Sequence, residues 1–498
     1  MDLFHNLIFG FGVALSLQNL LYCLIGVTVG TLIGVLPGIG PLGTIAILMP
    51  ITYGIAPVGA LIMLAGIYYG AQYGGSTTAI LVNLPGETSA VVTCIDGYQM
   101  ARQGRAGPAL AIAAIGSFFA GTVGTLLIAL FGPPLADVAL KFGSPEYFSL
   151  MLMGLVAAAV LAQGDMVKSL AMVVTGLLLG LVGSDVNTGV QRFSFGFPEL
   201  SDGIGFVVVA VGVFAIGEII TNLGDKEERR VFTATVTSLF PSKEDMKRSI
   251  GPILRGTGIG SFFGVLPGTG PAIASFASYM LEKKLAADPS RFGRGAIEGV
   301  AAPESANNAD AQCKFIPMLT LGLPASGVMA LMLGALTIQG IQPGPEVMTQ
   351  RPELFWGLIA SMWIGNLMLV VLNLPMIALW VKLLQVPYRL LFPAIMAFSA
   401  IGIYSVNNSS FEIYLTALFG LFGFICMKLG FPPAPLLLGY VLGPMMEENL
   451  RRSMLISGGD PSVFVTRPIS LAFIVATALI LVVMILPAVR QRRLEIAD

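Results

Sequence analysis

The chain has 498 residues, of which 55% are hydrophobic and 11% are charged, and its formal net charge is −1. Soluble domains carry about 25% charged residues, so this composition excludes an ordinary soluble protein, and the near-zero charge does not indicate nucleic acid as a partner. Apolar runs recur that are long enough to cross a bilayer. The sequence therefore predicts an all-α polytopic membrane protein with roughly 11–12 spans, surrounded by membrane lipid. Short alternating segments would indicate a β-barrel instead.

Side chains that commonly carry chemistry are sparse. Cys23, Cys94, Cys313 and Cys426 occur singly, without metal-ligand spacing, and His5 is the only histidine. This pattern predicts no metal centre and no cofactor. No HExxH, GxSxG or GxxxxGK[ST] motif occurs, so the sequence favours neither an enzyme nor a primary pump. The N-terminus lacks a basic region, so we expect no separable signal peptide.

The positions of the basic residues along the chain predict which loops lie in the cytoplasm. The first basic residue is Arg102, which places the N-terminus outside, and the basic tail "RQRRLEIAD" places the C-terminus in the cytoplasm. Candidate spans lie near residues 57–82, 108–131, 146–163, 167–184 and 205–223. The long hydrophilic segment Asp225–Ile250 follows them. We therefore predict a first membrane repeat at 1–224, a cytoplasmic linker at 225–250 and a second membrane repeat at 251–498.

Two similar stretches interrupt apolar segments. "GVLPGIGPL" covers residues 34–42 and "GVLPGTGPA" covers 264–272, and nine of seventeen positions are identical between 26–42 and 256–272. The shared GxxxG ridge favours close helix packing. The Pro-Gly turn predicts a re-entrant hairpin whose two arms are each too short to cross alone. Five predicted spans separate the hairpins. Because an odd number of crossings brings the chain to the opposite side of the membrane, the two repeats are expected to be inverted.

A second pair of interruptions follows the hairpins. "STTAILVNLPGETSA" at 76–90 has a weaker counterpart in "IPMLTLGLPASGVMA" at 316–330, and each carries an LP break. Interrupted apolar segments at corresponding places in two halves indicate the binding site of a secondary transporter. The first N–H groups of a half-helix carry partial positive charge and bind anions without any lysine. We therefore predict an anionic substrate at these breaks.

The predicted site follows from this dipole argument. The turn glycines should allow the anion to approach the backbone, namely Gly38, Gly40, Gly86, Gly268 and Gly270. Hydroxyl groups should add donors from Thr88, Ser89, Thr269 and Ser326. Exposed carbonyls at the facing half-helix ends, at Pro37, Asn83, Pro267 and Gly322, are predicted to bind a coupling cation.

The polar stretch "APESANNADAQCKFIP" at 302–317 adds Ser305, Asn307 and Asn308 to the candidate substrate ligands. It is either an amphipathic surface helix at the membrane edge or a partly unwound element lining the cavity, because ionisable groups at membrane depth are usually functional. Asp310 and Lys314, at i and i+4, are placed to pair with each other. Glu218, near the end of its span, is predicted to be interfacial.

With these residues together, the chain resembles the large membrane subunit of the tripartite tricarboxylate transporters. The resemblance rests on "GVLPGIGPLGT", "YYGAQYGGSTTAILVNLPGE", "APESANNA", "LTLGLPASG", "IGIYSVNNSSFEI" and "LGPMMEENLRRSM". It implies a bacterial inner-membrane importer that works with a small four-span membrane subunit and a periplasmic solute-binding protein. It also places binding determinants at 37–41, 86–89, 267–271, 324–327 and 304–308. The family commonly has a glycine where Ala325 stands here.

Two functional hypotheses remain. The first is a secondary-active, binding-protein-dependent importer of di- or tricarboxylates such as citrate, driven by a Na⁺ or H⁺ gradient through alternating access at the hairpin tips. The alternative is a channel, or a carboxylate or ion transporter that needs no binding protein, since re-entrant hairpins also build selectivity filters. Saturable accumulation driven by a gradient separates them.

Overall fold

The computed structural model describes residues 3–36, 40–83, 85–161, 165–185, 188–223, 240–383 and 388–485. The first half contains helices Leu3–Ala14, Leu17–Val35, Pro41–Thr52, Pro57–Val82, Val91–Arg102, Ala106–Ala139, Ser144–Leu161, Met166–Gly180, Phe206–Ala210 and Gly217–Leu223, with a π-helical turn at Val211–Ile216. The second half contains Lys243–Val265, Pro271–Leu285, Glu298–Cys313, Phe315–Leu321, Gly327–Ile338, Glu346–Gln350, Pro352–Asn373, Ile377–Leu383, Tyr388–Asn407, Ser410–Lys428, Ala434–Ile456, Val463–Thr466 and Pro468–Ile485. Short 3₁₀ turns occupy Thr88–Ala90, Pro198–Leu200 and Pro289–Arg291.

The predicted all-α polytopic class is confirmed. Within the described ranges, strand is limited to Gly183–Ser184, which pairs antiparallel with Gln191–Arg192. Each of the five candidate spans coincides with helix, and the last is interrupted by the π-helical turn. Among the described residues, four helices have the length and apolar composition to cross a membrane, namely Leu17–Val35, Ala106–Ala139, Pro352–Asn373 and Ser410–Lys428. The number of spans stays a prediction.

Each of the two predicted Pro-Gly interruptions separates two helices, and the re-entrant character of the hairpins stays a prediction. The first hairpin consists of helices Leu17–Val35 and Pro41–Thr52, and the second hairpin consists of Lys243–Val265 and Pro271–Leu285. In each, the second arm begins with proline at its first helical position, after an extended glycine cap, Gly40 or Gly270. Proline suits that position because its missing N–H would have no helical partner. The two tips therefore share one construction, although residues 37–39 of the first lie outside the described ranges.

The prediction that both arms of a hairpin are too short to cross alone is wrong for the first hairpin, because Leu17–Val35 has the length and apolar composition of a span. The first arms, Leu17–Val35 and Lys243–Val265, have 19 and 23 residues, which corresponds to about 28 and 34 Å of helix. The second gains its length because Ser242 forms a capping box with Asp245 and starts the helix in the charged segment. That start lies inside the segment predicted as the linker, and residues 224–239 of the segment are outside the described ranges.

The glycine ridges pack each hairpin onto the helix that follows it, as the GxxxG pattern predicts. A Cβ atom on Gly26, Gly30 or Gly34 would lie 2.3–2.4 Å from carbonyl oxygens of helix Pro57–Val82. A Cβ atom on Gly256, Gly260 or Gly264 would lie 2.1–2.6 Å from carbonyl oxygens of helix Glu298–Cys313. The same close packing, in which no side chain separates the backbones, therefore occurs in both halves.

The LP breaks also correspond. Helix Pro57–Val82 ends at Asn83 and helix Phe315–Leu321 ends at Gly322, both with left-handed backbone at φ 56° and 67°. Each of these caps directly precedes the LP dipeptide. A left-handed cap ends a helix and turns the chain, so both breaks are built into the backbone at the same place.

Candidate functional site

A cavity of about 470 Å³ lies where the four interruptions meet. Its wall includes residues 40–42 of the first hairpin tip and residues 268–272 of the second. The LP breaks contribute residues 86–88 and 325–328. The folded chain thus brings together segments from both halves that the sequence places more than two hundred residues apart.

The cavity wall contains about half of the predicted substrate ligands. Those that line it are Gly40, Gly86, Thr88, Gly268, Thr269, Gly270 and Ser326. Those that the structure does not bring to the wall are Ser89, Ser305, Asn307 and Asn308, and the same holds for the predicted cation ligands Asn83, Pro267 and Gly322. Gly38 and Pro37 lie outside the described residues. The contact of each residue with a ligand stays a prediction.

Three of the four predicted hydroxyl donors, Thr269, Ser89 and Ser326, differ in their hydrogen-bond partners. Thr269 Oγ1 donates to the carbonyl oxygens of Phe263 and Leu266, at 2.6 and 2.8 Å, so it closes the end of the first arm. Ser89 Oγ lies within hydrogen-bond distance of two acceptors, the Glu87 carboxylate and, at 3.1 Å, Gln72 Oε1. Ser326 instead accepts from the backbone N–H of Met329 at the start of its helix, and its side chain also lies at the Tyr68 hydroxyl group.

The polar stretch is neither a surface helix nor unwound, so both earlier interpretations are wrong. Residues 299–313 are all buried and form one continuous helix, Glu298–Cys313. Its ionised groups have partners on this helix and on its neighbours, except that Asp310 Oδ1 has none among the described residues. Glu304 accepts hydrogen bonds from Ser76 and Thr93, and the predicted pair of Asp310 with Lys314 is confirmed, with both side chains fully buried.

The polar helix contacts its neighbours rather than the cavity. Asn308 Nδ2 donates to Ser117 Oγ at 2.7 Å and thereby joins this helix to Ala106–Ala139. Both polar atoms of the Asn307 side chain are buried and have no partner among the described residues. Ser305 Oγ donates to a carbonyl of its own helix at 2.8 Å. The geometry therefore favours a packing role for Ser305 and Asn308.

Some polar residues of the cavity wall were not named individually as ligands from the sequence, among them Gln72, Glu87 and Glu218. Gln72 is 1% exposed, and its Nε2 has no partner among the described residues. Glu87 directly follows the first LPG, and Glu218 is a single carboxylate in an apolar span. An isolated ionisable residue at membrane depth is a functional candidate by default, and that rule finds both glutamates.

Glu218 lines the cavity, and its interfacial position in the membrane stays a prediction. Its Oε1 accepts a hydrogen bond from the backbone N–H of Gly40 at 3.2 Å, so the carboxylate faces the tip of the first hairpin. The reason is the π-helical turn Val211–Ile216, which inserts an extra residue into the helix and turns the following side chains. Such turns are frequent at functional sites.

Positive charge in this wall comes from the backbone. No lysine, arginine or histidine is present among the described residues that line the cavity. The two hairpin tips instead present the first N–H groups of helices Pro41–Thr52 and Pro271–Leu285. Anions bind at such helix starts because the unpaired N–H groups carry partial positive charge.

Comparison with known proteins agrees with this geometry. Residues 20–438 match the Tripartite tricarboxylate transporter TctA family. The chain belongs to the TctA family. It is 60% identical over 493 residues to a protein of Agrobacterium vitis described as an uncharacterized 52.8 kDa protein in the TAR-I ttuC' 3' region, covering 99% of this chain and 98% of that one.

A second Agrobacterium vitis protein, described as an uncharacterized protein in the TAR-II ttuC' 3' region, is 58% identical over 234 residues. That match covers 47% of this chain and 97% of the relative. No solved structure matches the chain. Membership of the TctA family confirms the resemblance found in the sequence and implies a membrane subunit of a tricarboxylate transporter.

Proposed function

We propose that this chain is the translocating subunit of a secondary-active importer of di- or tricarboxylates, driven by a cation gradient. The observation that carries the proposal is the meeting of both hairpin tips and both LP breaks at one cavity. Half-helix N-termini facing a cavity from two repeats are the usual substrate site of transporters built this way.

The wall chemistry supports an anionic substrate. The N–H groups at Gly270 and the following turn have space around them, because a Cβ atom on Gly270 would meet no atom within 4 Å. Gln72 adds an unpaired amide donor, and Thr88 and Ser326 add hydroxyl groups. A carboxylate accepts hydrogen bonds only, so a wall that offers backbone, amide and hydroxyl donors suits it.

The partners follow from the family. The chain works with a small four-span membrane subunit and with a periplasmic solute-binding protein that delivers the carboxylate. In this proposal it lies in the bacterial inner membrane, with the N-terminus in the periplasm and the C-terminus in the cytoplasm. The cavity then opens alternately to the two sides as the repeats move around the hairpin tips.

The test is uptake by proteoliposomes that contain this chain with the small subunit, with the binding protein added outside. Radiolabelled citrate is the first probe, followed by a panel of di- and tricarboxylates. We expect saturable accumulation above the external concentration that needs both the binding protein and an inward cation gradient. Uptake that never exceeds equilibrium, or that does not saturate, would support the channel hypothesis.

A further inference from the structure

The two hairpin tips differ in one contact. At the first tip, the N–H of Gly40 already donates to the Glu218 carboxylate at 3.2 Å. At the second tip, the N–H of Gly270 makes no hydrogen bond within the described residues. Two equivalent anion sites therefore have different contents, since the first holds a carboxylate of the protein itself.

Few groups near Glu218 could stabilise the negative charge of its carboxylate. Helix Pro41–Thr52 carries no titratable residue. Helix Ser410–Lys428 presents Gly423 and Met427 toward the helix of Glu218. Lys428, at the end of that neighbouring helix, places its ammonium 5.9 Å from the centre of the Phe424 ring.

The remaining titratable residues of the cavity wall are Tyr68 and Glu87. No cationic side chain of the described residues forms an ion pair with Glu218. Within that part of the chain the carboxylate has a single donor, the N–H of Gly40.

This environment suits a proton at Glu218. A hard cation in a protein needs several oxygen ligands around it, and no group of three or more His, Cys, Asp or Glu side chains that could hold one exists among the described residues. A proton needs one carboxylate oxygen only. Glu218 can therefore be neutralised by a proton without any rearrangement of its apolar neighbours.

An entering substrate makes that neutralisation necessary. A carboxylate substrate brings negative charge into a cavity whose wall already carries Glu87 and Glu218. The nearby buried Asp310 is balanced by Lys314. Gln72 Nε2, buried and without a partner, points independently to an acceptor ligand in the same cavity. Like charges in a poorly hydrated space repel strongly, so the substrate and a positive charge must enter together.

We propose that Glu218 is the proton-coupling residue of the transport cycle. A proton from the external water bonds to a Glu218 carboxylate oxygen, and the carboxylate becomes a neutral carboxyl group. The hydrogen bond from Gly40 weakens because its acceptor has lost its charge, and the N–H becomes available to a substrate carboxylate. On the cytoplasmic side the substrate leaves, Glu218 releases the proton to water and the contact with Gly40 forms again. This inference rests on the proposed import function.

The test uses the proteoliposomes described above, loaded with a fluorescent pH indicator, and the substitution Glu218→Gln. The labelled probe is citrate, or the panel member that the wild type prefers. We expect E218Q to keep exchange of external label for internal unlabelled carboxylate. It should lose at least tenfold of the accumulation driven by a pH gradient, together with the internal acidification that accompanies uptake. The exposed substitution Glu448→Gln, at a side chain that is 59% exposed, is the matched control and should behave as wild type.

Three results would overturn the inference: undiminished pH-driven accumulation by E218Q, accumulation by wild type under a sodium gradient alone, and uptake without acidification. If E218Q also loses exchange, the substitution Glu218→Asp shows whether a titratable carboxyl group is what transport needs, because it restores that group. Coupled uptake then returns if Glu218 carries the proton and stays absent if it does not. Loss of both exchange and accumulation in wild type, with every carboxylate of the panel, would instead contradict the proposed function.

Discussion

The two hairpins have the same backbone but face different surroundings. The ridge of the first packs on helix Pro57–Val82, and the ridge of the second packs on the polar helix Glu298–Cys313. The tip of the first is closed by Glu218, whereas the tip of the second is open to the cavity. The internal repeat thus accounts for the shared scaffold, and a few side chains make the two tips different. In the proposals above, the second tip binds the substrate and the first couples binding to a proton.

We expect the largest effect on stability from substitution of Gly268. Comparison with Gly270 then shows which glycine of the second tip is needed for folding and which for transport. Gly268 has φ +80°, and a Cβ atom there would lie 2.4 Å from the Cα of Ala158. Gly268→Ala therefore adds both a backbone clash and left-handed strain, which costs about 1–3 kcal/mol by itself. We expect a large loss of folded protein, measured as yield and thermal stability in detergent. Normal stability would show that the tip is less tightly packed than described.

Gly270→Val is the matched change at the neighbouring open position. The added Cβ atom would meet no protein atom within 4 Å, so stability should change little, by about 0.5 kcal/mol. Uptake should lose tenfold or more in kcat/KM, about 1.4 kcal/mol, because the methyl groups obstruct the helix start. The control is Gly258→Val, an exposed glycine of the same hairpin that also has open space around it. Equal uptake by the two variants would make the second tip a structural turn only.

Gln72→Leu removes the unpaired amide at nearly constant volume. A hydrogen bond to a charged group contributes about 1.5–3 kcal/mol, so the KM for the carboxylate should rise about tenfold or more. Gln312→Leu is the control, because Gln312 is equally buried and packs against Gly124 instead of the cavity. If both variants shift KM equally, the amide of Gln72 has no specific contact with substrate.

Substitutions in the polar helix Glu298–Cys313 give the smallest expected effects, and Asn308→Ala is the first of them. Loss of the hydrogen bond to Ser117 should lower the free energy of unfolding by about 1 kcal/mol and leave KM within twofold. Asn307→Ala, which breaks no hydrogen bond among the described residues, should cost less. A rise in KM without loss of stability would place Asn308 at the substrate after all.

The sequence was sufficient to predict the class, the two Pro-Gly interruptions and the corresponding LP breaks, because proline, glycine and hydropathy act locally. It also predicted the ridge packing and the pair of Asp310 with Lys314. It did not predict which polar residues meet at the cavity. The Gly40–Glu218 contact joins residues from two distant helices, and the direction of Glu218 depends on a π-helical turn that no local pattern indicates.

Burial of the polar helix was missed for a related reason. Composition alone suggests a solvated face for a helix that contains Glu304, Asn307 and Asp310. The hydrogen-bond donors that offset the cost of burying its polar groups lie on other helices, such as Ser76 and Thr93 for Glu304. Only the tertiary arrangement shows that these charges and amides are enclosed.

The most direct measurement is an electron cryo-microscopy structure of the complex with its carboxylate substrate bound. We expect one carboxylate group within hydrogen-bond distance, about 2.7–3.2 Å, of the backbone N–H at Gly270. Another polar group of the substrate should contact Gln72. Substrate bound elsewhere, with the second hairpin tip empty, would contradict the claim that the interrupted helices hold the transported anion.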